Sequence, residues 1–189
     1  MKKIVVCCFA TILAVSVSAE ELKLTEKNID KVIEALTLQE KAHLVVGARL
    51  ADNKDASGEI GYTKKLVPGV AGTTYPVERL GIAPVVMADG PSRVCLSPRR
   101  PGDSNTYFTT NVPSAILLAS SFNTDATHRI GEILGNETRE YGIDVLLAPG
   151  VNIMRNPLCG RNYEYYSEDP LLAGKIGAAF VNGVESQGV

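Results

Sequence analysis

Apolar positions change their spacing several times along this chain, and each change predicts an element. Between Ile29 and Leu36 the apolar residues fall at helical spacing. Thr37 followed by Glu40 then forms a capping box, which starts a second helix running to about Val46. Residues 51 to 75 are polar and glycine-rich with no period, so they are expected as a loop wrapping the outside. At Pro84-Val85-Val86-Met87-Ala88 the pattern becomes continuously apolar, as suits a strand buried on both faces, and it ends in Asp89-Gly90-Pro91. The same form at Ala115 to Ala119 predicts another strand. A helix is expected from the polar start at Asn123 to Tyr141, with Gly142 as its stop, and then a strand from Ile143 to Ala148. Asp169 and Pro170 supply the cap and first-turn proline of a last helix through about Glu185.

Strand and helix thus alternate in the manner of a parallel α/β domain. Two architectures share the pattern. A doubly wound sheet holds phosphates on a glycine-rich turn, whereas a barrel gathers the loops after every strand at one mouth. The turns here contain neither G-x-G-x-x-G nor a P-loop. Polar residues cluster just after strands instead, with Asp89 after the first clear one and Arg155, Arg161 and Glu164 after the run that ends at Ala148. A (β/α)8 barrel is therefore expected, and an incomplete one, because a whole barrel takes about 250 residues and the chain has 189.

The start of the chain bears on location. Lys2 and Lys3 precede an apolar run from Ile4 to Val15, and Val17-Ser18-Ala19 stands ahead of Glu20. That order predicts a secretory signal peptide over residues 1–19, removed with Cys7 and Cys8, and a secreted or periplasmic protein comprising residues 20–189. The alternative is an uncleaved membrane anchor, but the run is shorter than the roughly 20 apolar residues a spanning helix needs, so no span is expected after cleavage. With 19 basic and 21 acidic side chains and a net charge of −2, no block of like charge suggests a nucleic-acid partner. Cys95 and Cys159 are compatible with one bridge in an oxidising compartment, yet two cysteines make no disulfide framework, and free core cysteines are the expectation. His43 and His128 have no companions at metal-ligand spacing, so neither a metal nor any other cofactor is expected.

The segment Pro149 to Asp169, PGVNIMRNPLCGRNYEYYSED, carries most of the chemistry. It is several times longer than the usual connection of about 2–6 residues in α/β units, and too aromatic for a linker. Tyr163, Tyr165 and Tyr166 offer flat faces with hydroxyl handles, while Arg155 and Arg161 bring donor forks beside the acceptor Glu164. A pyranose needs such a set, since it presents hydroxyls around its edge and apolar C–H faces above and below. An equally good account of the same residues is structural, with Arg161 and Glu164 pairing with each other or with Asp169 to hold the loop shut. Asp89 on its own is better read as a turn or cap residue before Gly90-Pro91.

From Leu146 through Pro170, LLAPGVNIMRNPLCGRNYEYYSEDP resembles the N-terminal domain of glycoside hydrolase family 3, especially its bacterial β-glucosidases. The likeness extends back through Ala88-Asp89-Gly90-Pro91 and the Leu38 to Leu44 helix and forward to Asn182-Gly183-Val184. The resemblance implies that Asp89 and Arg161 hydrogen-bond the hydroxyls of the non-reducing sugar, and that Arg155 and Glu164 line or brace the same pocket. It also implies retaining hydrolysis of terminal β-D-glucosyl residues, on a β-linked glucoside or oligosaccharide, by the parent enzyme. The family's nucleophilic aspartate follows a Lys-His pair later in the barrel, and its acid/base comes from a later domain in many members. No residue here is therefore assigned a catalytic role, Glu164 and Glu168 included, and the chain alone is expected to be an inactive N-terminal piece. A non-catalytic periplasmic carbohydrate-binding protein and an inactive remnant are the alternatives. One departure stands out: where the family often reads Asp-Gly-Pro-x-Gly-x-Arg, this chain has Cys95 at the arginine position and an arginine at Arg93. The wording from Asn162 to Ser167 is closer to the glucosidase branch than to the family's β-xylosidases or N-acetylglucosaminidases.

Overall fold

The structure, a computed structural model, describes residues 21–47, 67–100 and 102–189. The expected signal peptide, and residues 51–66 of the expected outer loop, lie outside the described residues.

Two helices open the described chain, α1 (Ile29–Ala35) and α2 (Leu38–Val46). The capping box between them forms in both directions. The Thr37 hydroxyl accepts from the Glu40 N–H at 3.2 Å, and a Glu40 carboxylate oxygen accepts from the Thr37 N–H at 2.8 Å. The same carboxylate receives both arms of Arg79, Nε at 2.7 Å and Nη2 at 2.5 Å, while Nη2 also donates to the Ala35 carbonyl. Arg79 belongs to a one-turn 3-10 helix over Glu78–Leu80, so this fork ties α2 to the chain that leads into the sheet. Under it Val32, Leu36, Val77 and Leu80 form a small apolar cluster.

The sheet has three strands in the order β1 (Gly72–Thr73), β2 (Val86–Asp89), β3 (Val145–Leu147). β2 runs antiparallel to β1 and parallel to β3, with Asp89 opposite Leu147 at the strand ends. Residues 67–75, expected within an outer loop, contain β1 and bury Val67, Val70 and Thr73. The apolar run into β2 is not buried on both faces as expected, for Val86 and Ala88 are buried while Met87 is half-buried and Val85 exposed; in β3 Leu146 is buried and its neighbours Val145 and Leu147 point the other way and are exposed.

Ala115 to Ala119 is a helix rather than the expected strand. In α3 (Ala115–Ser120), the Ser114 hydroxyl caps the start by accepting from the Leu117 N–H, and Ala115, Leu118 and Ala119 are buried while Ile116 and Leu117 are exposed. Burial at i, i+3 and i+4 marks a helix face, and a short run rich in Ala and Leu fits a helix better than a pleated strand. A five-residue apolar run does not carry enough periods to separate the two.

α4 (Thr124–Glu140) starts on Asn123, whose side-chain oxygen accepts from the Ala126 N–H at 2.9 Å, and Gly142 at φ 71° turns the chain after it toward β3. α5 (Pro170–Glu185) starts on Asp169, which accepts from the Leu171 and Leu172 N–H groups at 2.7 and 3.2 Å. The two helices touch backbone to backbone. A Cβ on Gly131 would stand 2.4 Å from the Phe180 carbonyl oxygen, and one on Gly183 would stand 2.2 Å from that of His128. Beside this contact Leu134 and Phe180 are fully buried and pack beneath the sheet with Val86, Ala88, Ile143 and Leu146.

Two predictions follow from these contacts. Gly183→Ala is expected to lower stability by about 1–3 kcal/mol in urea denaturation, because the added methyl forces the helices apart; Gly174→Ala, where a Cβ meets open space, is expected to raise it by about 0.5–1 kcal/mol. The Arg79 fork, and after it the bond from Thr37, holds the Glu40 carboxyl down to about 2, against an ordinary 4.5. A lowered folded-state value means that this stabilisation is complete above about pH 4.5 and disappears as the pH falls toward about 2. Acid titration by circular dichroism is expected to show a flatter loss of helix in Glu40→Gln than in the native chain, and identical curves would refute the assignment.

Candidate functional site

The parallel pairing of β2 with β3 sets Asp89 beside Leu147 at the carboxyl ends of two neighbouring strands. Immediately after Asp89 the chain must turn against β3. A Cβ at Gly90 would lie 2.4 Å from Leu146 Cδ1 and 2.9 Å from the Arg93 carbonyl oxygen, so only glycine passes there without displacement. The Cys95 N–H then donates to the Asp89 carbonyl at 2.8 Å and closes the turn. This fastens the backbone of Asp89 and leaves its side chain exposed. Its carboxylate has no hydrogen-bond or ion-pair partner among the described residues.

On the other side the long loop folds back on itself. Gly150 pairs with Tyr165 in a parallel bridge, and a Cβ at Gly150 would crowd both the Glu164 carbonyl and the Tyr165 ring. Asn156 organises the turn: its side-chain oxygen accepts from the Leu158 N–H at 2.9 Å, and its carbonyl accepts from the Cys159 N–H at 3.0 Å and from Asn162 Nδ2 at 2.9 Å. A single 3-10 turn over Asn162–Glu164 follows, with Arg161 immediately before it. Tyr166 anchors the end of the loop in a cluster with Ala115, Leu118, Ala119, Ala173 and Ile176, and burial pushes its hydroxyl pKa up.

Between these two walls lies a pocket of about 450 Å³, within the roughly 300–1,000 Å³ span of small-ligand sites. Asp89, Asn152, Arg161 and Glu164 supply its polar lining, and Pro91, Leu147, Pro149, Gly150 and Tyr165 the rest. Arg161 donates through Nε to a Glu164 carboxylate oxygen, and this bond raises the guanidinium pKa, keeping the group charged. The pair expected from sequence thus forms, and it forms in the pocket wall. Asp169 takes no part in it, being committed to the start of α5.

Three of the four proposed site residues, Asp89, Arg161 and Glu164, therefore line one pocket. Arg155 does not line it. Its side chain is exposed, and among the described residues only its backbone N–H is engaged, with the Ile153 carbonyl. Arg93 is likewise exposed and outside the pocket lining, and the Cys95 Sγ lies 4.0 Å from the Arg93 carbonyl. Cys95 and Cys159 are both free, but neither is a core residue as expected, Cys95 being half-buried and Cys159 exposed. Of the three tyrosines named from sequence for a sugar, only Tyr165 is at the pocket, brought there by the Gly150–Tyr165 bridge, while Tyr166 is core and Tyr163 is exposed. Asn152 is a lining residue that the sequence did not mark. Among the described residues no group of three or more His, Cys, Asp or Glu gathers for a metal, and no helix is long and apolar enough to cross a membrane.

Residues 101–189 match the glycosyl hydrolase family 3 N terminal domain. The chain is 39% identical over 166 residues to the thermostable beta-glucosidase B of Acetivibrio thermocellus, an alignment covering 86% of this chain and 19% of that protein. Over 110 residues it is 42% identical to beta-glucosidase A of Butyrivibrio fibrisolvens, covering 58% of this chain and 13% of the relative. Its fold superposes on beta-glucosidase 3B from Thermotoga neapolitana, solved in complex with glucose, with a TM-score of 0.74 and 49% identity over 85% of this chain and 22% of that one. The chain spans about a fifth of the length of such relatives. By sequence and by fold it belongs to glycosyl hydrolase family 3, within the N-terminal domain that its residues 101–189 match.

Proposed function

We propose that this chain supplies part of the glucose-binding wall of a β-glucosidase, and that the whole protein hydrolyses terminal non-reducing β-D-glucosyl residues with retention. The observation that carries the reading is the pairing of opposite, uncommitted hydrogen-bonding groups in one pocket. Asp89 offers a carboxylate with no partner among the described residues. Arg161 spends only Nε on Glu164 and keeps both Nη groups without a partner among the described residues. A hexose presents adjacent hydroxyls that both donate and accept, so a free carboxylate and a free guanidinium edge satisfy two of them at once. Asn152 adds a donor and an acceptor, and the Tyr165 ring adds apolar surface. The glucose complex of the Thermotoga neapolitana relative supports the same ligand class.

In this reading β2 and β3 with α4 and α5 are early units of a (β/α)8 barrel, and β1, antiparallel to β2, stands outside the repeat. Asp89 and Leu147 stand at carboxyl ends of parallel strands, where barrel enzymes build their sites. Retention requires two carboxyl groups about 5–5.5 Å apart, one attacking the anomeric carbon and one protonating the leaving oxygen. Neither role is assigned to a residue of this chain, since Glu164 is engaged with Arg161 and Asp89 is read as a hydroxyl acceptor. The Lys2-Lys3 leader and its apolar run favour a secreted or periplasmic enzyme.

Titration of the 189-residue chain with glucose, followed by NMR, is expected to show saturable binding that Asp89→Ala and Arg161→Ala each weaken by about tenfold or more. Binding that survives both substitutions, or no binding by the native chain, would defeat the assignment. The same chain is expected to release no product from an aryl β-glucoside. Release proportional to the amount of purified chain would show that the catalytic carboxylates are present after all.

A further inference from the structure

We infer that Glu164 is a positioning residue: it pins Arg161 through Nε, so that the Nη edge is presented to the sugar and kept off Asp89. The inference rests on the sugar-site reading above and adds a division of labour within it.

Two Arg–Glu pairs form among the described residues, and the contrast between them is informative. Arg79 meets Glu40 with two nitrogens, Nε and Nη2, and gives Nη2 to the Ala35 carbonyl as well. Its fork is spent on the fold. Arg161 meets Glu164 with Nε alone, and its Nη groups have no partner among the described residues. The exposures of the second pair are also unequal, the Glu164 side chain being 11% accessible and that of Arg161 73%. A sheltered acceptor and an outlying donor describe an anchor and an arm, and an arm held by its inner nitrogen swings less than a free one.

The link between them is short. Both residues flank one 3-10 turn, closed by the Glu164 N–H on the Arg161 carbonyl at 3.1 Å, so the carboxylate stands in fixed relation to the backbone that carries the guanidinium. Gly150, whose Cβ would collide with the Glu164 carbonyl, packs the turn from the other side.

The need for an anchor comes from Asp89. It lines the same pocket with an unpaired carboxylate, and an arginine released from Glu164 has that carboxylate as its next partner. An Asp89–Arg161 pair would satisfy internally the two groups that the sugar requires, and glucose would have to break it. Glu164 prevents this by holding the guanidinium with a carboxylate that the sugar does not use.

Glucose titrations of the native chain, Glu164→Gln, Glu164→Ala, Arg161→Ala and the Arg161→Ala/Glu164→Ala double variant test this, together with the Arg161 Nε–Hε signal of the sugar-free protein. Glu164→Ala is expected to weaken glucose by about tenfold and Glu164→Gln by less, since the amide oxygen still accepts from Nε. The double variant is expected to bind no worse than Arg161→Ala alone, because Glu164 acts only through Arg161. If Glu164→Ala weakens binding as much without Arg161 as with it, Glu164 touches the sugar itself and the inference falls. It falls also if Glu164→Ala binds like the native chain. Should the native chain fail to bind glucose, the sugar-site reading fails first, and the Nε–Hε signal judges the clamp alone. A signal ordered in the native chain, less ordered in Glu164→Gln and averaged in Glu164→Ala upholds the pinning, whereas one averaged in the native chain or equally ordered in all three overturns it.

Discussion

The backbone contact between α4 and α5 is the constraint on which the other arrangements rest. Gly131, Gly135 and Gly183 leave no side chain between the two helices, so each meets the other's main chain. Such closeness increases dispersion contacts and lets Leu134 and Phe180 pack under the sheet. The consequence for the site is indirect but strong. α4 feeds β3 through the turn at Gly142, and α5 begins where the long loop ends. The loop is thus strung between two points whose separation the helix pair sets, and the pocket wall inherits its position from that pair.

Within the loop, ordinary backbone economy separates residues that look alike in sequence. Tyr165 and Tyr166 are neighbours, yet one faces the pocket and the other the core formed with α3 and α5. That alternation follows from the extended backbone after the 3-10 turn, which points successive side chains to opposite sides. Arg155 and Arg161 part company for a similar reason. The Asn156 side chain and carbonyl gather the chain between them into a closed turn, and only the arginine beyond it is carried to the strand ends.

Helix boundaries were legible in the sequence where a side chain caps them. Thr37 with Glu40, Asn123, and Asp169 with Pro170 each start a helix where the residue pattern placed one. Ala115 to Ala119 was not legible, because five apolar residues fit a buried strand and a half-buried helix equally well, and the deciding group, the Ser114 hydroxyl, lies just outside the run. One-sided burial of β3 was hidden too, since Val145-Leu146-Leu147 carries no polar residue to mark its open face. Asp89, Arg161 and Glu164 were readable through their resemblance to a known family, and the structure brings the three together. Asn152 was not, and among Tyr163, Tyr165 and Tyr166 the sequence does not single out Tyr165, whose place at the pocket depends on its bridge to Gly150.

The register that sets Asp89 against Leu147 has a further consequence, for the order of folding. The two walls of the pocket belong to strands separated in sequence by all of α3 and α4, so Asn152, Arg161 and Glu164 come from one loop but meet Asp89 only when β3 pairs with β2. Such non-local pairing forms late, after the loop-closure entropy has been met. A nascent chain emerging through β2 and α4 therefore has helices but no recognition surface. Whatever occupies the pocket selects only molecules in which β3 has already docked, and so acts as a check on completed assembly as well as a ligand.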